Sequence, residues 1–168
     1  MLATFALLQL DAGERSAAQS LLEAAVASSV DRPRVYFELA KLRYEDALNR
    51  SHRNDGKIEA SDLAGIVDLL TVAAKKAPPM LGVYELLAGV WTNAAMEPDG
   101  AQLAVLAEGL ALLASESVLQ YRAGVLYQKL GDITRADALA REALRYAQPR
   151  LASEVREFRE KLAVAPRR

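Results

Sequence analysis

His52 is the single histidine of the 168-residue chain, and it stands beside Ser51, the nearest approach in the sequence to a nucleophile and a base. Nucleophilic catalysis needs that base oriented by a third group, and no such partner is evident around "NRSHRND". Metal binding needs converging histidine, cysteine or carboxylate ligands, whereas His52 is alone and the chain has no cysteine. Asp55-Gly56-Lys57 lacks both the earlier glycine and the following hydroxyl of a phosphate loop. Glu154, Glu157 and Glu160 recur every third residue among Arg156, Arg159 and Lys161, the pattern of a salt-bridged helix surface rather than of an acid–base pair. The residues predict no catalytic site, cofactor site or metal site.

Bulk charge narrows the field further. Lys and Arg number 21 against 22 Asp and Glu, so no global basic field gathers phosphates and nucleic acid is not an expected partner. The opening "MLATFALLQL" lacks a basic leader and runs straight into polar residues, which reads as an amphipathic helix rather than a secretory signal. No apolar run approaches the roughly 20 residues of a membrane span. The compartment stays open, with a lean toward the cytoplasm. Asn49-Arg50-Ser51 fits a glycosylation sequon and, without a secretory signal, is read as chance.

What positions side chains here is helix. Apolar residues recur with helical period, and Pro33, Pro78, Pro79, Pro98, Pro149 and Pro166 fall between the periodic segments. About nine helices are predicted, over 2–12, 15–29, 34–50, 61–76, 80–95, 99–114, 117–130, 133–147 and 150–163, with no strand. Within "YRAGVLYQKLGDITRADALAREAL", Gly131 is suited to end one helix in the left-handed conformation and Asp132 to cap the next. Ala136, Ala140, Ala143 and Ala147 lay small side chains along one face opposite Ala123-Gly124, so two helices can approach closely.

That helix pair has copies. A first-helix marker, an apolar residue followed by a small one, occurs at Phe5-Ala6, Leu39-Ala40, Leu87-Ala88 and Ala123-Gly124. A second-helix marker occurs at Ala25-Val26, Ala73-Ala74, Gly109-Leu110 and Ala143-Leu144. From second marker to next first marker (25 to 40, 73 to 88, 109 to 124) the spacing is always 15, whereas within pairs it is 19, 33, 21 and 19. Length variation therefore falls inside the pairs, on a base repeat of 34 residues with insertions of 14 and 2.

On these residues the chain resembles a tetratricopeptide repeat array. The fourth unit carries the pattern most fully, in Ala123-Gly124, Tyr127, Gly131-Asp132, Ala136, Ala143-Leu144 and Pro149. The first keeps Phe5, Ala6, Gly13, Ala18 and Ala25; the second Tyr36, Leu39, Ala40, Ala73 and Pro78; the third Tyr84, Leu87, Ala88 and Trp91. Ile66 and Gln102 stand where the family places a small residue, which implies altered packing in those two pairs. The resemblance implies an all-α fold, a right-handed superhelical solenoid of antiparallel helix pairs. It forms one domain over 1–168, with repeats at about 1–32, 33–80, 81–116 and 117–149 and a capping helix at 150–163. In that helix Leu151, Val155, Phe158 and Leu162 form the apolar stripe.

In this family the first helices line a concave groove that binds a peptide or a partner domain. Carried over by register, the groove positions are Arg34, Phe37, Lys41, Tyr44 and Glu45; then Glu85, Gly89, Thr92 and Asn93; then Val118, Tyr121, Val125, Gln128 and Lys129. Phe37 and Tyr121 would serve as rigid anchors, with Lys41 and Lys129 holding acidic groups. The family's carboxylate clamp for chaperone tails is not evident, because Arg34 and Lys41 lack asparagine partners. The polar insertion "LNRSHRNDGKIEAS" reads as a solvated turn, or alternatively as a contact loop, with Ser61 as the next N-cap. The first repeat's register opens before Met1 with no capping residue ahead of the helix, so the chain reads as a fragment of a longer one, and a structural or regulatory tail of a larger bacterial, possibly enzymatic, protein is the alternative function; the resemblance to repeat tails of large bacterial proteins transfers no function of its own. The uncapped face of the first pair makes homo-oligomerisation a third expectation.

Overall fold

A computed structural model describes residues 1–51 and 56–164. Among the described residues the chain forms nine helices and no strand, consistent with an all-α helical repeat. No helix among them is long and apolar enough to cross a membrane. The chain divides into two compact units, residues 1–83 and 84–168.

The first unit contains two helical hairpins. Helices α1 (Leu2–Asp11) and α2 (Arg15–Ala27) pack together across a turn in which Gly13 takes φ 83°, a backbone conformation that side chains with a Cβ resist. Helix α3 (Pro33–Ser51) opens on Pro33, whose missing N–H is no loss at a first helical position. It packs on α4 (Ala60–Ala74) and on α2. Arg15 ties the start of α2 to the far end of α3, donating to the Leu42 carbonyl at 3.0 Å and pairing with Glu45 and with Asp46 at 2.7 Å. Leu22, Val35, Leu39, Leu63, Ile66 and Leu70 are buried here.

The second unit holds most of α5 (Leu81–Asn93), then α6 (Gly100–Leu112), α7 (Ser117–Lys129), α8 (Ile133–Tyr146) and α9 (Pro149–Val164). Gln102, large where a small residue was expected, closes a capping box: its side chain accepts from the Asp99 N–H, and its own N–H donates to the Asp99 carboxylate, both at 2.8 Å. Gly131 takes φ 80° and Asp132 accepts from the Arg135 N–H at 2.9 Å, as the Gly-Asp pair predicts. Ala136, Ala140 and Ala143 are fully buried, and the Ala136 carbonyl lies 3.3 Å from where a Cβ on Gly124 would sit. That close approach of α7 and α8 accounts for the small residues of the repeat. All eight small markers, Ala6, Ala40, Ala88, Gly124, Ala25, Ala73, Gly109 and Ala143, are buried.

Two local expectations are corrected. Ser61 is not the N-cap of α4, because the helix already begins at Ala60 with Glu59 in the cap position and no side-chain cap bond. Ala147 is extended and half-buried, because α8 ends at Tyr146 before the small face can include it. Phe5, the large residue of the first marker, is 53% exposed. The insertion keeps α3 helical through Ser51, which is buried and donates to the Leu48 carbonyl at 2.9 Å. Arg50 pairs with Asp62 at 2.9 Å, so this basic residue is tied to α4. His52, Arg53, Asp55 and Pro166 lie outside the described residues.

Candidate functional site

Each unit presents its predicted groove residues on first helices, and the two sets differ in character. On α3, Arg34 pairs with Asp11 at 3.0 Å and Glu38 at 3.3 Å, and Glu45 is held by Arg15. Lys41 is exposed beside a cleft of about 340 Å³ whose lining includes Asp11, Glu38, Glu45, Arg15 and Lys41. Lys41 shares this cleft with three carboxylates, each of them already paired with Arg34 or Arg15. Phe37 is half-buried, and its ring lies 2.9 Å from where a Cβ on Gly82 would stand, so part of this aromatic is used in packing on the start of α5. Tyr44 is half-buried on the same helix.

In the second unit, α7 sorts its residues by face. Leu119, Ala123, Gly124, Leu126 and Tyr127 are buried. Val118 is 38% exposed, and Tyr121, Val125 and Gln128 are half-buried. Spacings of three, four and three put these four on a single stripe. Tyr121 meets Phe158 edge to face, with ring centroids 5.6 Å apart, which fixes the ring while leaving part of it open. Burial pushes the Tyr121 hydroxyl above its ordinary value, and the nearby carboxylates Glu154 and Glu157 of α9 push it the same way. Glu85 on α5 is half-buried; burial raises its carboxyl, Arg122 at 4.0 Å lowers it and Glu116 raises it again.

Other predicted positions serve the helices themselves. The Lys129 ammonium donates to the carbonyls of Trp91 and Ala94, each at 2.7 Å, capping the end of α5 where carbonyls lack helical partners. Thr92 donates to the Ala88 carbonyl at 2.8 Å, and the Asn93 side chain donates to that of Gly89 at 3.1 Å. Gln120 was not singled out from the sequence: it is buried and donates to the Ala114 carbonyl at 3.1 Å, bracing the turn before α7. A polar residue at a core register position is the signal that marks it.

Glu154 and Glu157 of α9 lie near enough to Tyr121 to act on its hydroxyl, and the partly open stripe is apolar at three positions of four. Such a surface can bind an apolar side chain on the aromatic edge and attract a neighbouring cation. Among the described residues no group of three or more His, Cys, Asp and Glu side chains is placed to hold a metal ion. Comparison with protein-family models, with curated proteins and with solved structures finds no match for this chain.

Proposed function

We propose that the chain is a non-enzymatic interaction module of the tetratricopeptide type, which binds a peptide or a partner domain along its first-helix face. The observation that carries the reading is the stripe Val118, Tyr121, Val125 and Gln128, kept partly open beside the buried face Leu119, Gln120, Ala123, Gly124, Leu126 and Tyr127 of the same helix. The repeat spacing supports it, as do the hairpins α1–α2, α3–α4 and α7–α8 with their buried small markers. The acidic groups beside Tyr121 favour a ligand with apolar anchors and at least one Lys or Arg, which replaces the acidic ligand expected from Lys41 and Lys129. The near balance of charge favours protein over nucleic acid as the partner.

Selection of random peptides displayed on phage tests this reading. Sequences enriched in apolar and basic residues are expected, and a Val118→Arg, Gln128→Arg double variant of unchanged helicity should bind them at least about tenfold more weakly, the loss of one well-placed contact region. Leu112→Arg, at a 55% exposed position on α6, should bind as the parent does. Equal binding by parent and double variant refutes the assignment to this face.

A further inference from the structure

Helix α1 turns Leu2, Phe5 and Leu8 outward at 47%, 53% and 59% exposure. The repeat register shows how unusual this is. The positions equivalent to Phe5 are Leu39, Leu87 and Ala123, and those equivalent to Leu8 are Leu42, Val90 and Leu126; every one is at most 4% exposed. The fold thus treats these as core positions in three units and leaves them open in the first. By contrast, α9 turns Glu154, Glu157 and Glu160 to solvent.

We propose that the α1 stripe is a self-association site, which pairs with the same stripe of a second copy across a two-fold axis at Phe5. Three features of α1 point to that occupant. The stripe is palindromic, Leu-Phe-Leu at spacings of three and three, so an antiparallel partner sets Phe5 on Phe5 and Leu2 on Leu8, the self-complementarity a two-fold interface requires. It carries no charge that would repel its copy, because Asp11, the one ionisable side chain of α1, lies at the helix end and is held by Arg34 at 3.0 Å. The antiparallel arrangement also opposes the helix dipoles and keeps the two Asp11 carboxylates at opposite ends, whereas a parallel one would bring them together. A ten-residue helix is only about 15 Å long, so the stripe falls short of the roughly 800 Å² per partner of a stable complex. The association is therefore weak and reversible, micromolar or weaker.

Because the chain has no cysteine, one introduced thiol is unique and reports the register. Single variants Phe5→Cys, Leu2→Cys and Leu8→Cys are treated at about 100 µM with a bismaleimide that spans the 8–10 Å between packed helices, alongside Ser153→Cys on the exposed face of α9. Phe5→Cys should give a covalent dimer on its own. Leu2→Cys and Leu8→Cys should cross-link to each other when mixed, and several-fold less to themselves. Sedimentation equilibrium of the unmodified chain should show a mass rising above 18.2 kDa with concentration, and Phe5→Glu, at a half-open position that tolerates charge, should abolish the rise. An 18.2 kDa mass at every concentration up to the millimolar range overturns the proposal and leaves the stripe to another partner. Leu2→Cys cross-linking to itself as well as Phe5→Cys does overturns the antiparallel register, and Ser153→Cys cross-linking equally shows mere collision.

Discussion

Gly109 gives the sharpest test of how the second unit is packed. It lies in the last turn of α6, where alanine would ordinarily be better by up to about 1 kcal/mol because glycine loses more backbone freedom on folding. A Cβ at this position would stand 2.1 Å from Cδ1, 2.4 Å from Cγ and 2.6 Å from Cε1 of Tyr84. These atoms include the root of the ring, so a small swing of its far edge does not relieve the overlap, and the ring is 1% exposed with no room to leave. Overpacking of this kind costs about 3 kcal/mol or more, the upper end of the usual range. Subtracting the helix-propensity gain leaves a net destabilisation of about 2 kcal/mol for Gly109→Ala, or a fall in Tm of about 4–8 °C for a chain of this size. Gly65→Ala is the matched control. It too is helical, but its nearest neighbour would be the Arg43 guanidinium at 3.5 Å, an ordinary contact at the end of a flexible side chain, so it should be neutral or up to about 1 kcal/mol more stable. Urea unfolding followed by circular dichroism measures both. A Gly109→Ala chain as stable as the parent, or a Gly65→Ala chain destabilised as much, refutes the reasoning.

Phe158→Ala should destabilise by about 3 kcal/mol or more, because it removes a 7% exposed ring from the core of the second unit together with its edge contact to Tyr121; denaturant midpoints measure this. Asp132→Ala removes the side-chain bond from the N-cap to the start of α8 and should cost about 1 kcal/mol by the same measurement, while Asp132→Asn should retain most of it. The Asp137 carboxyl is held below the usual carboxylate range, first by its hydrogen bond from Arg159 and then by that from Arg141. Its folded pKa being the lower one, this contribution to stability is present above the unfolded carboxylate pKa and is lost as pH falls through the folded value; NMR titration of Arg159→Gln should show Asp137 shifted upward, and its acid unfolding should begin at higher pH. Glu85 has the opposite sign: burial raises its carboxyl, so ionisation opposes folding as pH rises through the folded pKa, and Glu85→Gln should flatten the pH dependence of stability on that side.

Helix boundaries were legible because their causes are local. Proline and glycine act through the backbone of their own residue, so α3 and α9 begin at Pro33 and Pro149, and the α7–α8 turn rests on Gly131 and Asp132. The small markers were legible because a repeated close approach leaves a repeated small residue. Partners of long side chains were not. Register places Lys129 on the predicted groove face, yet its four-carbon stem reaches the carbonyls ending α5, and those carbonyls come from a segment 35 and 38 residues away. Phe37 sits on the predicted face and still packs toward Gly82, because a missing Cβ on the neighbouring helix opens space that no pattern within α3 records. Phe5 shares a register position with buried residues, but burial depends on the neighbour, and among the described residues that face of α1 stays 53% exposed at Phe5. The acidic surroundings of Tyr121 likewise come from α9, beyond the family pattern that nominated it.

The most direct test of the functional account is a titration of the nitrogen-15-labelled chain with a peptide selected against it, read residue by residue from amide shifts. The account predicts that the largest changes fall on Val118, Tyr121, Val125 and Gln128 and on α9 around Glu154 and Glu157, with α2, α4 and α8 nearly silent. Changes centred on α2, α4 or α8, with the α7 stripe unmoved, would contradict it.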